Sequence, residues 1–154
     1  MRHFDYKDFV VQFSMLHDQF LTDVSYDSGV LKLVFGEYRI FREDYSDDTY
    51  YERYKDYHEC TVEITDHSFS NHELDKPTLC MLRGDRFKWL EMDDEALFDF
   101  LRSLRAQFTF ASIANNDELE LQFLSSPESE MKRKYRCCEY RLSVIADAIN
   151  FIWK

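Results

Sequence analysis

The sequence predicts an α+β domain: a mostly antiparallel sheet of about seven to nine strands, built from hairpins, with at least two packed helices. Three observations carry this expectation. Short runs of alternating apolar and polar residues recur, separated by Gly, Asn and Asp turn residues. Two stretches, residues 6–16 and 94–104, instead repeat their apolar residues at the helical period. Finally, the 154 residues include 14 Phe and 10 Tyr but only 3 Gly and 2 Pro, which suits one core and leaves little for flexible linkers. A single domain over residues 1–154 is expected.

In chain order, Tyr6 to Leu16 reads as a helix. Asp5 and Asp8 suit its start, and Tyr6, Phe9, Val10, Phe13 and Leu16 share one face. Phe20, Thr22, Val24 and Tyr26 then alternate with Leu21, Asp23 and Ser25, and Leu31, Leu33 and Phe35 alternate with Val30, Lys32 and Val34. This pair is an antiparallel hairpin. Asp27-Ser28-Gly29 suits a three-residue loop, with Gly29 supplying the positive φ that a side chain penalises.

Residues 37–59 change character. They hold six of the ten tyrosines, Tyr38, Tyr45, Tyr50, Tyr51, Tyr54 and Tyr57, among eight acidic and four basic residues. Tyr rests an apolar ring on a surface while its hydroxyl stays hydrated, and interfaces are enriched in it for that reason. The functional reading is a protein-binding surface. The structural alternative is an irregular crossing whose rings cover one edge of the core.

Cys60, Val62 and Ile64 alternate as another strand, followed by a polar loop over Asp66–Glu73. Leu79–Leu82 and Phe87–Glu91 form a second hairpin, turning at Gly84-Asp85 as a type II′ turn. A helix follows, capped by Asp93 or Asp94, with Leu97, Phe98, Leu101 and Leu104 as its buried stripe and Arg102 and Arg105 suiting its C-terminus. Thr109–Ile113 and Glu118–Leu124 make a third hairpin around Asn115-Asn116-Asp117, and Ser125–Glu130 is a polar loop. Residues 138–153 fit both a helical face and an interrupted alternation. Their β-branched and aromatic content favours strand, with a bulge at Ala146–Ala148.

The formal net charge is −11, and the excess is uneven: residues 1–76 hold 17 acidic and 8 basic side chains. Such a field repels nucleic acid and anionic membrane and attracts basic partners; acidity also keeps an aromatic-rich chain soluble. The dense basic cluster Lys132-Arg133-Lys134-Tyr135-Arg136 therefore reads less as a nucleic-acid patch than as a solvated strand entrance that pairs with the acidic first half. No apolar run approaches a membrane span and Met1–Asp5 carries no signal-peptide core, so a cytoplasmic location without membrane association is expected. Cys60, Cys80, Cys137 and Cys138 show no C-x-x-C spacing and read as free thiols in a reducing compartment.

Chemistry-bearing motifs are sparse. There is no G-x-S-x-G, P-loop or G-x-G-x-x-G, and no cofactor is expected. His58, Cys60, His67 and His72 could join a nucleophilic site only through folding. His17-Asp18 invites comparison with metal-dependent phosphohydrolases, and His67 and His72 with Asp66 or Glu73 could ligate a metal in an irregular loop. A small metal-dependent enzyme using His17, Asp18, His67 or His72 is one alternative, while the bland reading makes His17-Asp18 a helix-exit junction bonded to nearby backbone.

Leu16-His17-Asp18-Gln19-Phe20-Leu21, followed by Val24-Ser25-Tyr26, the Asp27-Ser28-Gly29 turn and Leu31-Lys32-Leu33-Val34-Phe35, resembles an apolar-His-Asp-x-x-Leu opening with a hairpin. That opening is found in small bacterial proteins, some regarded as immunity proteins of polymorphic toxin systems. Gln19 departs from the small residue often found after the His-Asp pair, and the tyrosine-rich segment lies outside the shared pattern. The resemblance implies a cytosolic, non-catalytic binding protein and transfers no functional residues.

The sequence thus points to an acidic protein-binding module that blocks a basic toxin or nuclease. Tyr45, Asp47, Asp48, Tyr50, Tyr51 and Glu52 are its candidate contact residues. A nucleic-acid mimic that inhibits a DNA-binding protein rests on the same acidity and is the other alternative.

Overall fold

A computed structural model describes residues 6–46, 48–65, 78–113, 118–126, 129 and 131–154. Helix α1 (Tyr6–Met15) leads into β1 (Asp23–Asp27) and β2 (Val30–Phe35); α2 (Asp48–Tyr54) precedes β3 (Cys60–Thr65). Strands β4 (Thr78–Arg83) and β5 (Arg86–Leu90) are followed by α3 (Asp94–Ser103), then β6 (Gln107–Ile113), β7 (Glu118–Leu124), β8 (Glu139–Ile145) and β9 (Ala148–Trp153). Turns of 3-10 helix occur at Arg42–Asp44 and Arg133–Tyr135.

The α+β class stands, but the strands form two antiparallel sheets rather than one. Their orders are β1-β2-β3-β9 and β5-β4-β8-β7-β6. The division falls where the sequence suggests a bulge. After β8 the chain passes through Ala146, only 2% exposed, and the Asp147 N–H donates to the Thr65 carbonyl at 2.9 Å. There β9 joins β3 in the other sheet, pairing Cys60 with Trp153 and Thr65 with Ala148. The phase shift is a change of sheet, made tight by a small buried residue. A bulge does occur, but in β6, between Phe108 and Phe110.

Both sheets contribute to one core. Phe108 of β6 packs on Phe35 of β2 and on Phe13 of α1, with ring centroids 6.0 and 5.6 Å apart, and Phe13 meets Phe151 of β9 edge-on at 4.9 Å. Helix α3 follows its sequence pattern: Asp93 accepts from the Ala96 N–H at 2.8 Å as N-cap, and Leu97, Phe98, Leu101 and Leu104 are buried. Its Arg102 reaches β1, donating to the Val24 carbonyl at 2.9 Å and pairing with Asp23 at 3.0 Å.

Three local expectations change. The first hairpin has a two-residue loop, since Asp27 pairs with Val30. Ser28 and Gly29 both have positive φ, 53° and 81°, as a type I′ turn requires. Regular pairing in that hairpin begins at Asp23 rather than Phe20; Leu21 is buried and Phe20 is 44% exposed. Val10 also leaves the buried face of α1, at 47% exposure. The second hairpin turns at Gly84, φ 65°, as expected. The Asp5 cap, the Asp66–Glu73 loop and the Asn115-Asn116-Asp117 turn lie outside the described residues. No helix among the described residues is long and apolar enough to cross a membrane.

Candidate functional site

The tyrosine-rich crossing divides into two parts with different roles. Tyr38, Tyr54 and Tyr57 surround Trp153 of β9, with ring centroids 4.9, 4.8 and 5.6 Å away. The Tyr38 N–H donates to the His58 carbonyl at 3.0 Å, closing the crossing at its base. Burial raises the Tyr38 phenol well above its ordinary range and raises the Tyr54 phenol as well, so both stay neutral. These three rings do structural work.

The other part holds the candidate contact residues. Arg42 organises it: its guanidinium pairs with Asp48 at the start of α2, donates to the Tyr45 carbonyl and lies 6.0 Å from the Tyr51 ring centroid. Tyr45 and Tyr51 come together at 6.4 Å, both half-buried. Tyr50 is 40% exposed, and Glu52 faces solvent and pairs with Lys55 at 2.6 Å. Tyr45, Asp48 and Tyr51 thus form one knot, with Tyr50 and Glu52 elsewhere on the same short helix. Asp47 lies outside the described residues.

Beside this knot runs an open groove of about 1370 Å³ between α1, β6 and residues 36–45. Phe9, Phe13, Tyr38 and Phe108 are its buried floor, and Val10, Phe20, Phe41 and Phe110 its exposed rim, 47, 44, 59 and 55% accessible. Asp18, Glu37, Asp44 and Tyr45 also line it, with Arg39, His17 and His58 as basic or titratable neighbours. Gln19 holds two of its walls together: its side-chain amide donates to the Arg39 carbonyl at 2.8 Å and its oxygen accepts from the Arg39 N–H at 3.0 Å. The departure from the small residue at this position therefore serves as a backbone-like clamp. At Gly36 an added Cβ would lie 2.8 Å from the Thr22 hydroxyl oxygen, which accepts the Gly36 N–H.

One wall of the groove is a sheet edge. β6 is the outer strand of the five-stranded sheet. Residues 18–21 pair with its beginning: Asp18 N–H to Phe108 O, Phe108 N–H to Gln19 O and Leu21 N–H to Ala106 O, each at 2.8 Å. Beyond Phe108, no described residue hydrogen-bonds the backbone of β6 from that side, and Thr109 to Ile113 line the groove. An edge with unpaired N–H and C=O groups is a template for another extended chain.

The chain matches no family model, no curated protein and no solved structure.

Among the described residues the chemistry-bearing side chains do not converge. His17 and Asp18 pair with each other at 3.0 Å, exposed at the groove. The Asp18 backbone rather than its side chain makes the junction's closest bond. Among the described residues no group of three or more His, Cys, Asp or Glu could hold a metal ion, and His67 and His72 lie outside those residues. Cys60 is fully buried and burial pushes its thiol up to about 12, which leaves it protonated and unreactive. His58 is exposed.

The rim residues escape a pattern-based reading for definite reasons. Phe108 and Phe110 stand two apart and would share a face, but the bulge between them sends Phe108 inward and leaves Phe110 outside. Phe20-Leu21 is an adjacent apolar pair, of which a strand can bury only one. That pair was the signal available.

Proposed function

We propose that this chain is a non-catalytic, acidic protein-binding module, an inhibitor or immunity-type protein that blocks a basic toxin or nuclease in the cytoplasm. The observation that carries the reading is the grouping of apolar surface. Val10, Phe20, Phe41 and Phe110, four of the nine large apolar side chains exposed among the described residues, ring one groove. Single exposed apolar residues need no explanation, whereas a contiguous set around a concave wall marks an interaction site. Asp18, Glu37 and Asp44 in the groove, and Asp48 and Glu52 beside it, give the partner's charge its sign.

In this reading a basic segment of the partner lies extended along β6, its apolar side chains among the rim phenylalanines. Tyr45, Asp47, Asp48, Tyr50, Tyr51 and Glu52 make the flanking contacts. The resemblance of residues 16–35 to an immunity-protein opening agrees with it and adds the expectation that binding silences the partner.

The test begins with affinity capture at low salt and identification of a toxin or nuclease domain whose activity the chain inhibits. Two variants follow, Phe41→Ser with Phe110→Ser, and Tyr50, Tyr51, Asp47 and Asp48 replaced together by Ala. Each is expected to weaken binding by about 100-fold, since buried aromatic anchors contribute roughly 2 kcal/mol or more apiece. Unchanged affinity in both variants, or a captured partner whose activity is not inhibited, would overturn the proposal.

A further inference from the structure

The two edges of the five-stranded sheet carry opposite surfaces. At one end β6 borders the groove with its acidic residues; at the other β5 is basic and aromatic. Residues 83–90 hold three basic side chains, Arg83, Arg86 and Lys88, and one acidic one. None of these three cations forms an ion pair with a described residue. Arg83 also meets Arg133 and Arg136 at a small recess beside the β4–β5 hairpin. A hydrogen bond from Lys134, with the charges of Lys134, Lys88 and Lys132 adding to it, lowers the Tyr135 phenol from its ordinary value, so the positive field extends along this side. Among these cations stand Phe87 and Trp89, 67 and 53% exposed. No described residue hydrogen-bonds the outer backbone of β5.

We infer that β5 of one copy of this chain docks in the groove beside β6 of a second copy, extending the sheet from molecule to molecule. The inference rests on the reading of the groove as a strand-docking site. Four antiparallel pairings separate β5 from β6, so the two strands run the same way. A copy shifted along the sheet therefore adds its β5 parallel to β6 with every face kept. One row of cross-strand neighbours, Trp89, Cys80, Arg141, Gln122 and Phe110, runs from edge to edge. The shift brings Trp89 of one copy to the exposed Phe110 of the next, an aromatic pair on the outer face. Arg86 and Lys88 point to the opposite face, the one shared with buried Leu79, Leu142 and Leu121. There they turn toward Asp18, Glu37 and Asp44 of the groove.

Like edges match poorly. Two β5 strands side by side would oppose Arg86 and Lys88 to their own copies, and two β6 edges would bring the acidic groove walls together. Like charges facing across a strand pair are destabilising, and edge lysines guard against such pairing. The unlike contact does not close on itself with two copies, so molecules add head to tail. An occupied groove is closed to the basic partner proposed above, which makes self-association a regulator of that site.

The test follows the mass of the whole chain against concentration by analytical ultracentrifugation. A mass that rises with concentration, and rises less at 1 M salt, where screening acts within about 3 Å, is expected. Phe87→Ser with Trp89→Ser removes one half of the contact, and Phe41→Ser with Phe110→Ser the other. All four positions are exposed, and each double variant should weaken self-association by at least about 10-fold. Arg86→Glu with Lys88→Glu should do the same through charge alone. The deciding experiment mixes the first two double variants. Each keeps one intact edge, so the mixture should form a complex of two chains and stop there. A wild-type mass that stays at one chain up to about 1 mM would overturn the inference. So would self-association that persists in either aromatic variant alone, or a mixture that stays monomeric. Binding of a uridine dodecanucleotide that depends on Phe87 and Trp89, without self-association, would overturn it in favour of a stacking surface for single strands. The inference and the groove reading fail separately. A monomeric wild type whose groove variant loses the captured partner removes only the inference, whereas self-association through the groove without any inhibited partner removes only the proposed inhibitor.

Discussion

The indole N–H of Trp153 donates to the side-chain oxygen of Gln12 across 2.6 Å, tying the last strand to the first helix. The same oxygen accepts the Tyr54 hydroxyl at 3.4 Å, and the Gln12 amide donates to the Asp8 carboxylate at 3.2 and 3.3 Å. Gln12 is 9% exposed, so little water can replace it. Gln12→Leu keeps the volume and removes the acceptor, leaving the half-buried Trp153 indole N–H and the buried Tyr54 O–H without it. The expected loss is about 1–3 kcal/mol in urea unfolding, with the slope of the transition unchanged. A loss below about 0.5 kcal/mol would mean that other groups satisfy both donors.

Local chemistry made part of this fold legible. The Asp93 cap and the stripe from Leu97 to Leu104 define α3 because each signal acts within a few residues. The Gly84 turn and the alternation in β3 are readable for the same reason. The division into two sheets is not, because alternation looks identical on either side of Ala146 whichever neighbour a strand joins. The groove depends on which strand ends up at an edge, and the small recess beside the β4–β5 hairpin on Arg83 meeting Arg133 and Arg136. Both are products of topology, invisible to a window of ten residues. In the tyrosine-rich crossing the sequence marks an unusual surface, but only packing separates Tyr38, Tyr54 and Tyr57, spent on Trp153, from the Tyr45 and Tyr51 pair.

The first hairpin carries a correctable defect. Ser28 sits at φ 53° in a turn whose first central position favours Asn. Ser28→Asn should stabilise the protein by roughly 0.5 kcal/mol, and Gly29→Val, placing a branched side chain at φ 81°, should cost about 1–2 kcal/mol. Thermal unfolding of the two variants checks both signs.

Phe108 and Phe110 separate stability from binding. Phe108 is 1% exposed and touches Phe13, Phe35 and Phe123, so Phe108→Ala should cost about 3–5 kcal/mol. Phe110, 55% exposed on the groove rim, should tolerate Ser within about 0.5 kcal/mol. Denaturant titration of both variants distinguishes them, and equal losses would place Phe110 in the core and remove it from the binding surface.

Alkali should unfold this protein earlier than its acidity alone would suggest. Burial pushes the Cys60 thiol from its ordinary 9.0 up to about 12. Burial also raises the Tyr38 and Tyr140 phenols above their ordinary 10.0. The Tyr38 hydroxyl, 1% exposed, has no hydrogen-bond partner among the described residues, so nothing there would stabilise a phenolate. In the unfolded chain these groups lose their protons near their ordinary values, while the folded protein keeps them. The unfolded state then binds fewer protons, and stability falls as pH rises. The stabilisation is complete below pH 9 and declines above it, through Cys60 first and the two tyrosines from about pH 10. Each group contributes a slope of about 1.4 kcal/mol per pH unit while only its unfolded form is ionised. Urea midpoints measured between pH 7 and 11 should be flat to about pH 8.5 and then drop, and Cys60→Ala should lessen the part of the drop that begins near pH 9, to which Cys80 and Cys138, whose thiols burial also raises, contribute the remainder.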